Sequence, residues 1–184
     1  MAESRIGRPP DQRTRVAALR ATRELLLARG YEGVAMSDIA AAAGVPRQTL
    51  YRRWPTKQAL VADCVLDDVL PVELVVVAAT GDLRADIDLW LQSSIASIEA
   101  DADAALFRAL LVASASDELA RQRMVGHFLA PLRNAIERSF AAAGREGHEL
   151  VADALLGAMV AAIVSRDAEA LRRVRDLGDL LTRG

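Results

Sequence analysis

The 184-residue chain is predicted to be all-α, with about nine helices. Three observations predict this. Apolar residues recur at spacings of three and four through most of the chain, which is the period of a helix with one buried face. Glycines and prolines fall where such stretches end. The one run that would pass for a strand, Leu74 to Ala79 with its three consecutive valines, has no partner run to pair with, so it reads as an apolar linker or a continued helix.

Residues 1–10, with Arg5, Arg8, Pro9 and Pro10, form a basic arm that has little to bury. Helix 1 runs from Asp11, an N-cap, to Arg29, with Gly30 as its stop. Ala18, Thr22 and Leu25 lie on its core stripe beside Leu19 and Leu26. A second helix spans 37–43, capped by Ser37 and ended by Gly44 in the left-handed region. Pro46 opens a third helix to residue 53, because its missing N–H costs nothing at the first position. Pro55-Thr56 breaks the chain. Thr56 caps a fourth helix carrying Leu60, Cys64 and Val65 toward Pro71. A helix from Asp82 to about Ala100 follows, then one opened by Asp101 or Asp103. Ser116 or Asp117 caps a long helix to Ala143 and Gly144, which Pro131 must kink or split. Helices over 146–166 and 167–181 complete the chain.

Charge is unevenly distributed. Residues 1–60 hold 11 Lys and Arg against 5 Asp and Glu, and the remainder hold 12 against 20, so a segment of +6 precedes one of −8. A basic head on an acidic body suits a head that binds a polyanion. The single cysteine, Cys64, allows no intrachain disulfide, which suits a reducing cytoplasm. The polar, Arg-rich start does not read as a signal peptide. The longest apolar run, Ala154 to Val164, reads as too short and too alanine-rich to span a bilayer, so no membrane partner is expected.

Ala35 to Lys57 carries the main functional signal. Two short helices meet at a glycine turn, and the second is polar, basic and aromatic around a single apolar Leu50. This is the pattern of a helix-turn-helix whose second helix enters a DNA major groove. Arg47 and Gln48 open that helix and are the candidates for reading base edges. Arg grips guanine O6 and N7, and Gln grips adenine N6 and N7. Arg52 lies one turn beyond Gln48. Trp54 is expected to pack between the third and fourth helices. In the arm, Arg5 and Arg8 suit either a narrow minor groove or a solubilising tail.

This segment resembles the TetR family of bacterial transcriptional regulators. The resemblance covers roughly residues 12 to 62. It rests on Gly30-Tyr31, Asp38-Ile39-Ala40, Gly44-Val45, Thr49-Leu50-Tyr51, Trp54 and Lys57. Beyond them the likeness is one of length and helical character. It implies phosphate contacts from Thr49, Tyr51, Arg53 and Lys57, and Ser37 is counted with these DNA-facing residues. It divides the chain into a flexible arm (1–10), a helix-turn-helix DNA-binding domain (11–58) and a helical ligand-binding and dimerisation domain (59–184). It also implies a homodimer on a palindromic double-stranded DNA operator. Such a protein is most often a cytoplasmic repressor released by a small molecule. The alternative is a helix-turn-helix protein with no small-molecule input.

In the body, Trp90, Ser94, Phe107, Arg108, Leu111, Met124, His127 and Phe128 are candidates to line a mostly apolar effector cavity. Each also reads singly as ordinary core. Val151, Leu155, Ala158, Met159 and Ala162 recur at helical spacing, as do Leu171 and Val174 on the last helix. They are candidates for a four-helix dimer interface, and equally for the chain's own core. Enzyme chemistry is disfavoured. Neither His127 nor His148 has a triad-like context, and the sequence has no glycine-rich phosphate loop and no metal-spaced cluster. No cofactor is expected.

Overall fold

The computed structural model describes residues 10–68, 79–99, 101–146 and 148–182. The basic arm and most of the ambiguous 71–81 stretch lie outside the described residues. Helices α1 (Pro10–Arg29), α2 (Met36–Ala43), α3 (Arg47–Arg53) and α4 (Lys57–Asp68) form the head. The body holds α5 (Leu83–Glu99), α6 (Asp101–Ser116), α7 (Glu118–Met124), α8 (Ala130–Ala142), α9 (His148–Ser165) and α10 (Ala168–Thr182). A π-helical turn, Val125–Leu129, joins α7 to α8 without a break, so nine rods result among the described residues. Pro131 explains that turn. It has no N–H for the carbonyl four residues back, and widening the turn just before it relieves the clash. The expected kink is therefore taken up as a change of helix type.

Local signals set most of the head. Gly44 adopts φ 65°, and Val45 N–H reaches back to Ala40 O at 3.0 Å, closing α2. Thr56 caps α4 by accepting from Ala59 N–H at 3.1 Å. Two expectations are corrected. The N-cap of α2 is Ala35, not Ser37, and the Asp38 carboxylate accepts from Ala35 N–H at 3.1 Å. A carboxylate on the third helical residue reaches that orphan donor, which a serine inside the first turn cannot. Pro46 is likewise the N-cap of α3, one position before the helix, and its carbonyl accepts from Thr49 and Leu50 N–H.

Two hydrophobic cores stack along the molecule. The first joins the head to α6 and α7 through Leu19, Ile39, Leu50, Trp54, Leu60, Cys64, Leu106, Leu110 and Met124. It runs without interruption past residue 58, because α4 packs on both α1 and α6. The second joins α5, α8, α9 and α10 through Ile87, Trp90, Leu91, Ile136, Phe140, Leu155, Met159 and Val174. Phe128, in the π turn, packs against both cores.

In the last two helices burial separates the two readings of the apolar faces. Leu155, Met159, Ala162 and Val174 are buried in the second core, with Val151, Ala158 and Leu171 half-buried against it. Leu155, Met159, Ala162 and Val174 therefore serve the chain's own packing, while Val151, Ala158 and Leu171 keep part of their surface outward. Helix α9 is apolar on nearly every side, so spacing could not say which stripe faces inward. Its exposed stripe is Leu150, Ala154, Gly157, Ala161 and Val164. The run judged too short for a bilayer sits in this 18-residue helix of hydropathy 1.6, which by length and composition alone is long enough to cross one. Its other face, however, is packed into the core.

Helix α10 lies close against α5 at Gly178, where a Cβ would fall 2.4 Å from Leu91 Cδ1. Gly178→Val should destabilise the chain by about 1–3 kcal/mol in urea unfolding, through overpacking of buried Leu91. Unchanged stability would show that α10 is not seated there.

Candidate nucleic-acid interface

Helix α3 has seven residues and buries one, Leu50. Everything else on it is available outward. Arg47, Gln48, Tyr51, Arg52 and Arg53 are exposed, and Thr49 is half-exposed. Ser37, in the first turn of α2, is also half-exposed. Three head arginines on α1 have partners: Arg15 with Asp67, Arg20 with Glu24 and Arg29 with Asp38. Among the described residues no carboxylate engages Arg47 or Arg52, so their charge is free for an outside anion. The Arg53 guanidinium stacks over Trp54 at 5.3 Å from the ring centroid.

Lys57 is placed differently from a free phosphate ligand. Its ammonium donates to Tyr31 O at 3.0 Å and lies 4.0 Å from the Tyr31 ring centroid. It ties the start of α4 to the end of α1, and can give a phosphate only its remaining donors. Burial pushes the Tyr31 phenol above its ordinary range.

The recognition helix is held from behind by a clamp. Trp54, its C-cap, is 1% exposed and donates its indole N–H to Asp63 Oδ2 on α4 at 2.7 Å. Asp63 also pairs with Arg123 on α7. A second tie joins the caps of two helices. Asp117 caps α7 with one oxygen, accepting from Ala120 N–H at 2.9 Å, and accepts from the Thr56 hydroxyl with the other at 2.9 Å. Asp63, Arg123 and the Thr56–Asp117 tie were not singled out from the sequence. Trp54 and Asp63 are near in sequence, but the Asp63 partner Arg123 and the Thr56 partner Asp117 lie about 60 residues further on and leave no local mark.

The family model described as bacterial regulatory proteins, tetR family, matches residues 18–64, the segment that builds this interface. Residues 18–64 thus carry the tetR-family helix-turn-helix segment. The HTH-type transcriptional regulator YdeS of Bacillus subtilis is 40% identical over 73 residues, 38% of this chain and 37% of that protein. The match thus spans little more than a third of that relative. Whole-chain likeness comes from solved structures. NalD of Pseudomonas aeruginosa, described as the secondary repressor of the MexAB-OprM multidrug efflux pump, is 23% identical. It matches 94% of this chain and 95% of its own at a TM-score of 0.68. SmeT in its triclosan complex is 21% identical, over 92% of this chain and 89% of its own, at a TM-score of 0.64. At those identities they show the shared fold.

The residues expected at an effector cavity divide between the two cores. Phe107 and Met124 are buried in the first, with Leu111 partly buried against it, and Trp90 is buried in the second. Phe128 links them, its ring 4.8 Å from that of Phe107. Arg108 reaches Ile163 O at 3.5 Å, tying α6 to α9. His127, in the π turn, is exposed. Ser94 is buried beside this region. Among the described residues no group of three or more His, Cys, Asp and Glu is placed to hold a metal ion.

Lys57→Ala should therefore lower stability by about 1–2 kcal/mol as well as weaken DNA binding, since it removes a charged hydrogen bond and a cation–π contact. Chemical denaturation checks this. Full stability with weaker DNA binding would mean the ammonium serves only phosphate.

Proposed function

We propose that this protein is a transcriptional regulator, most simply a cytoplasmic repressor, that binds a palindromic operator as a homodimer and is released by a small molecule. The observation that carries the DNA-binding part is helix α3. One buried leucine anchors it, while Arg47, Gln48 and Arg52 stand exposed on a basic head. Arg47 and Gln48 supply base readout, and Thr49, Tyr51, Arg53 and Ser37 supply register through phosphates. Lys57 adds a shared donor. The reading is regulatory and not catalytic.

The dimer contact is proposed to run over the exposed stripe of α9, Leu150, Ala154, Gly157, Ala161 and Val164. These residues recur every three or four positions, and Leu150 and Val164 are 79% and 59% exposed. Small side chains in the middle let a second copy of the helix approach closely, with larger apolar ones at the ends. Two copies of α9 and α10 then form a four-helix contact.

Release by an effector is supported by the body's construction. Phe128 touches both cores, and α7, which carries that turn, holds α4 through Arg123 and Asp117. A ligand that favours one arrangement of the body would thereby bias the spacing of the recognition helices, and DNA would oppose the ligand reciprocally. The triclosan complex of the similarly folded SmeT accords with a ligand site in such a body.

Selection of bound duplexes from a random pool should enrich an inverted repeat. Its affinity should fall steeply between low and moderate salt as counterions are released. Arg47→Ala should relax preference at one position per half-site. No enrichment, or salt-independent binding, would refute the DNA-binding reading. In light scattering, Ala161→Arg should convert a dimer to monomers by burying unpaired charge. A wild-type mass of one chain, 19.8 kDa, would refute the dimer.

A further inference from the structure

Hydroxyls inside this fold bond back to their own helices. Thr22 donates to Ala18 O at 2.8 Å, Ser114 to Leu110 O at 2.8 Å and Ser139 to Ala135 O at 3.4 Å. Among the described residues, Ser94 is the exception. It is 9% exposed, and its Oγ has no hydrogen-bond partner. The two tryptophans show the same contrast. Each is 1% exposed, but Trp54 donates to Asp63 and the Trp90 indole N–H donates to nothing. Trp90 and Ser94 are four residues apart on α5, so both unmatched groups lie on one face, one turn from each other. An unpaired buried donor costs stability, and two together point to a partner that completes them.

We propose that Trp90 and Ser94 are the polar anchors of the effector site, and that the effector is an uncharged, largely apolar molecule presenting an oxygen acceptor to the Trp90 indole. This rests on the effector reading above and specifies its ligand. The indole nitrogen only donates, so the ligand must accept, while the Ser94 hydroxyl takes either role. The surroundings are hydrocarbon. Trp90 shares its core with Leu132 and Ile136 of α8 and Leu155 and Met159 of α9. Charge is disfavoured on the ligand. Asp86 is 3% exposed one turn before Trp90, and would repel an anion. Its two oxygens already accept from Thr80 N–H at 2.9 Å and Thr80 Oγ–H at 2.7 Å, so it is engaged before any cation arrives. Arg108 of α6 donates to Ile163 O.

The test uses the full chain and three probes on one skeleton: benzophenone, diphenylmethane and 4-benzoylbenzoate. They differ in having a carbonyl acceptor, no acceptor, and an acceptor plus a negative charge. With two tryptophans in the chain, NMR of 15N-labelled protein gives two indole N–H signals, and the paired Trp54 is the internal control. Benzophenone should bind about tenfold more tightly than diphenylmethane, the worth of one buried hydrogen bond. It should shift the Trp90 signal and leave that of Trp54 in place. Trp90→Phe should abolish the tenfold preference. Ser94→Ala should reduce affinity less, and should leave the unfolding midpoint unchanged or higher because it removes an unpaired hydroxyl. If Trp90→Phe does not fold, the wild-type ratio and the indole shift decide. Equal binding of ketone and hydrocarbon, tightest binding of the carboxylate, an unmoved Trp90 signal, or no binding of any probe would overturn the assignment. A thermal-shift screen with anionic, cationic and neutral compounds separates the two levels. Stabilisation by a compound of another class sinks this ligand assignment and keeps the effector reading, whereas no hit at all sinks both.

Discussion

A seven-residue helix that buries one side chain cannot fix its own orientation. Helix α3 is such a helix, with Leu50 alone in the core. Short isolated helices are marginal, and a side chain that must meet a base edge tolerates little displacement. The direction of Arg47 and Gln48 is therefore set by what lies behind them. That support is α4, and α4 is shared. Its Asp63 holds Trp54 at the end of α3 and Arg123 on α7, and its cap Thr56 bonds to the cap of α7. The interface that would read DNA is in this sense built by the body.

The sharing explains why the first core does not stop where the basic segment ends. A head that folded as a separate unit would carry its own complete core, and its link to the body would be loose. Here Leu60, Val61, Cys64 and Val65 of α4 lie in one cluster with Leu106, Leu110 and Met124 of the body. Rearrangement around α7 then has a packed route to α3. The π turn is the natural place for it to begin, since it carries Phe128 between the two cores and belongs to the same rod as Arg123.

How much of this was legible in the sequence depended on how local each determinant is. Gly44, Pro46 and Thr56 act within four residues, so the helix-turn-helix and its boundaries could be read to within a residue or two. Even there Asp38 displaced Ser37 as the group that satisfies the start of α2, because the helix begins one residue earlier. Pro131 announced an interruption, but not that a π turn would absorb it. Helix α9 defeated the periodicity argument. A helix apolar on nearly every side has almost no phase, so spacing alone leaves core and dimer contact open for the same stripe. Tertiary ties were invisible. Nothing near Lys57 shows that Tyr31 occupies it, and nothing near Asp63 shows Arg123. Trp90 and Ser94 could be named as candidates from their types and spacing. That both are unpaired, which gives them their meaning, required the structure.

The central claim is that the recognition helix is held by the body through Asp63. Backbone hydrogen exchange in an Arg123→Met variant tests it most directly, because Arg123 lies on α7 and pairs with Asp63, not with α3. The Leu50 and Trp54 amides, which bond to Pro46 O and Leu50 O, should exchange markedly faster in the variant. The Ile136 and Phe140 amides in α8 should keep their protection. Unchanged protection across residues 50–54 would contradict it, and would show that α3 is positioned from within the head alone.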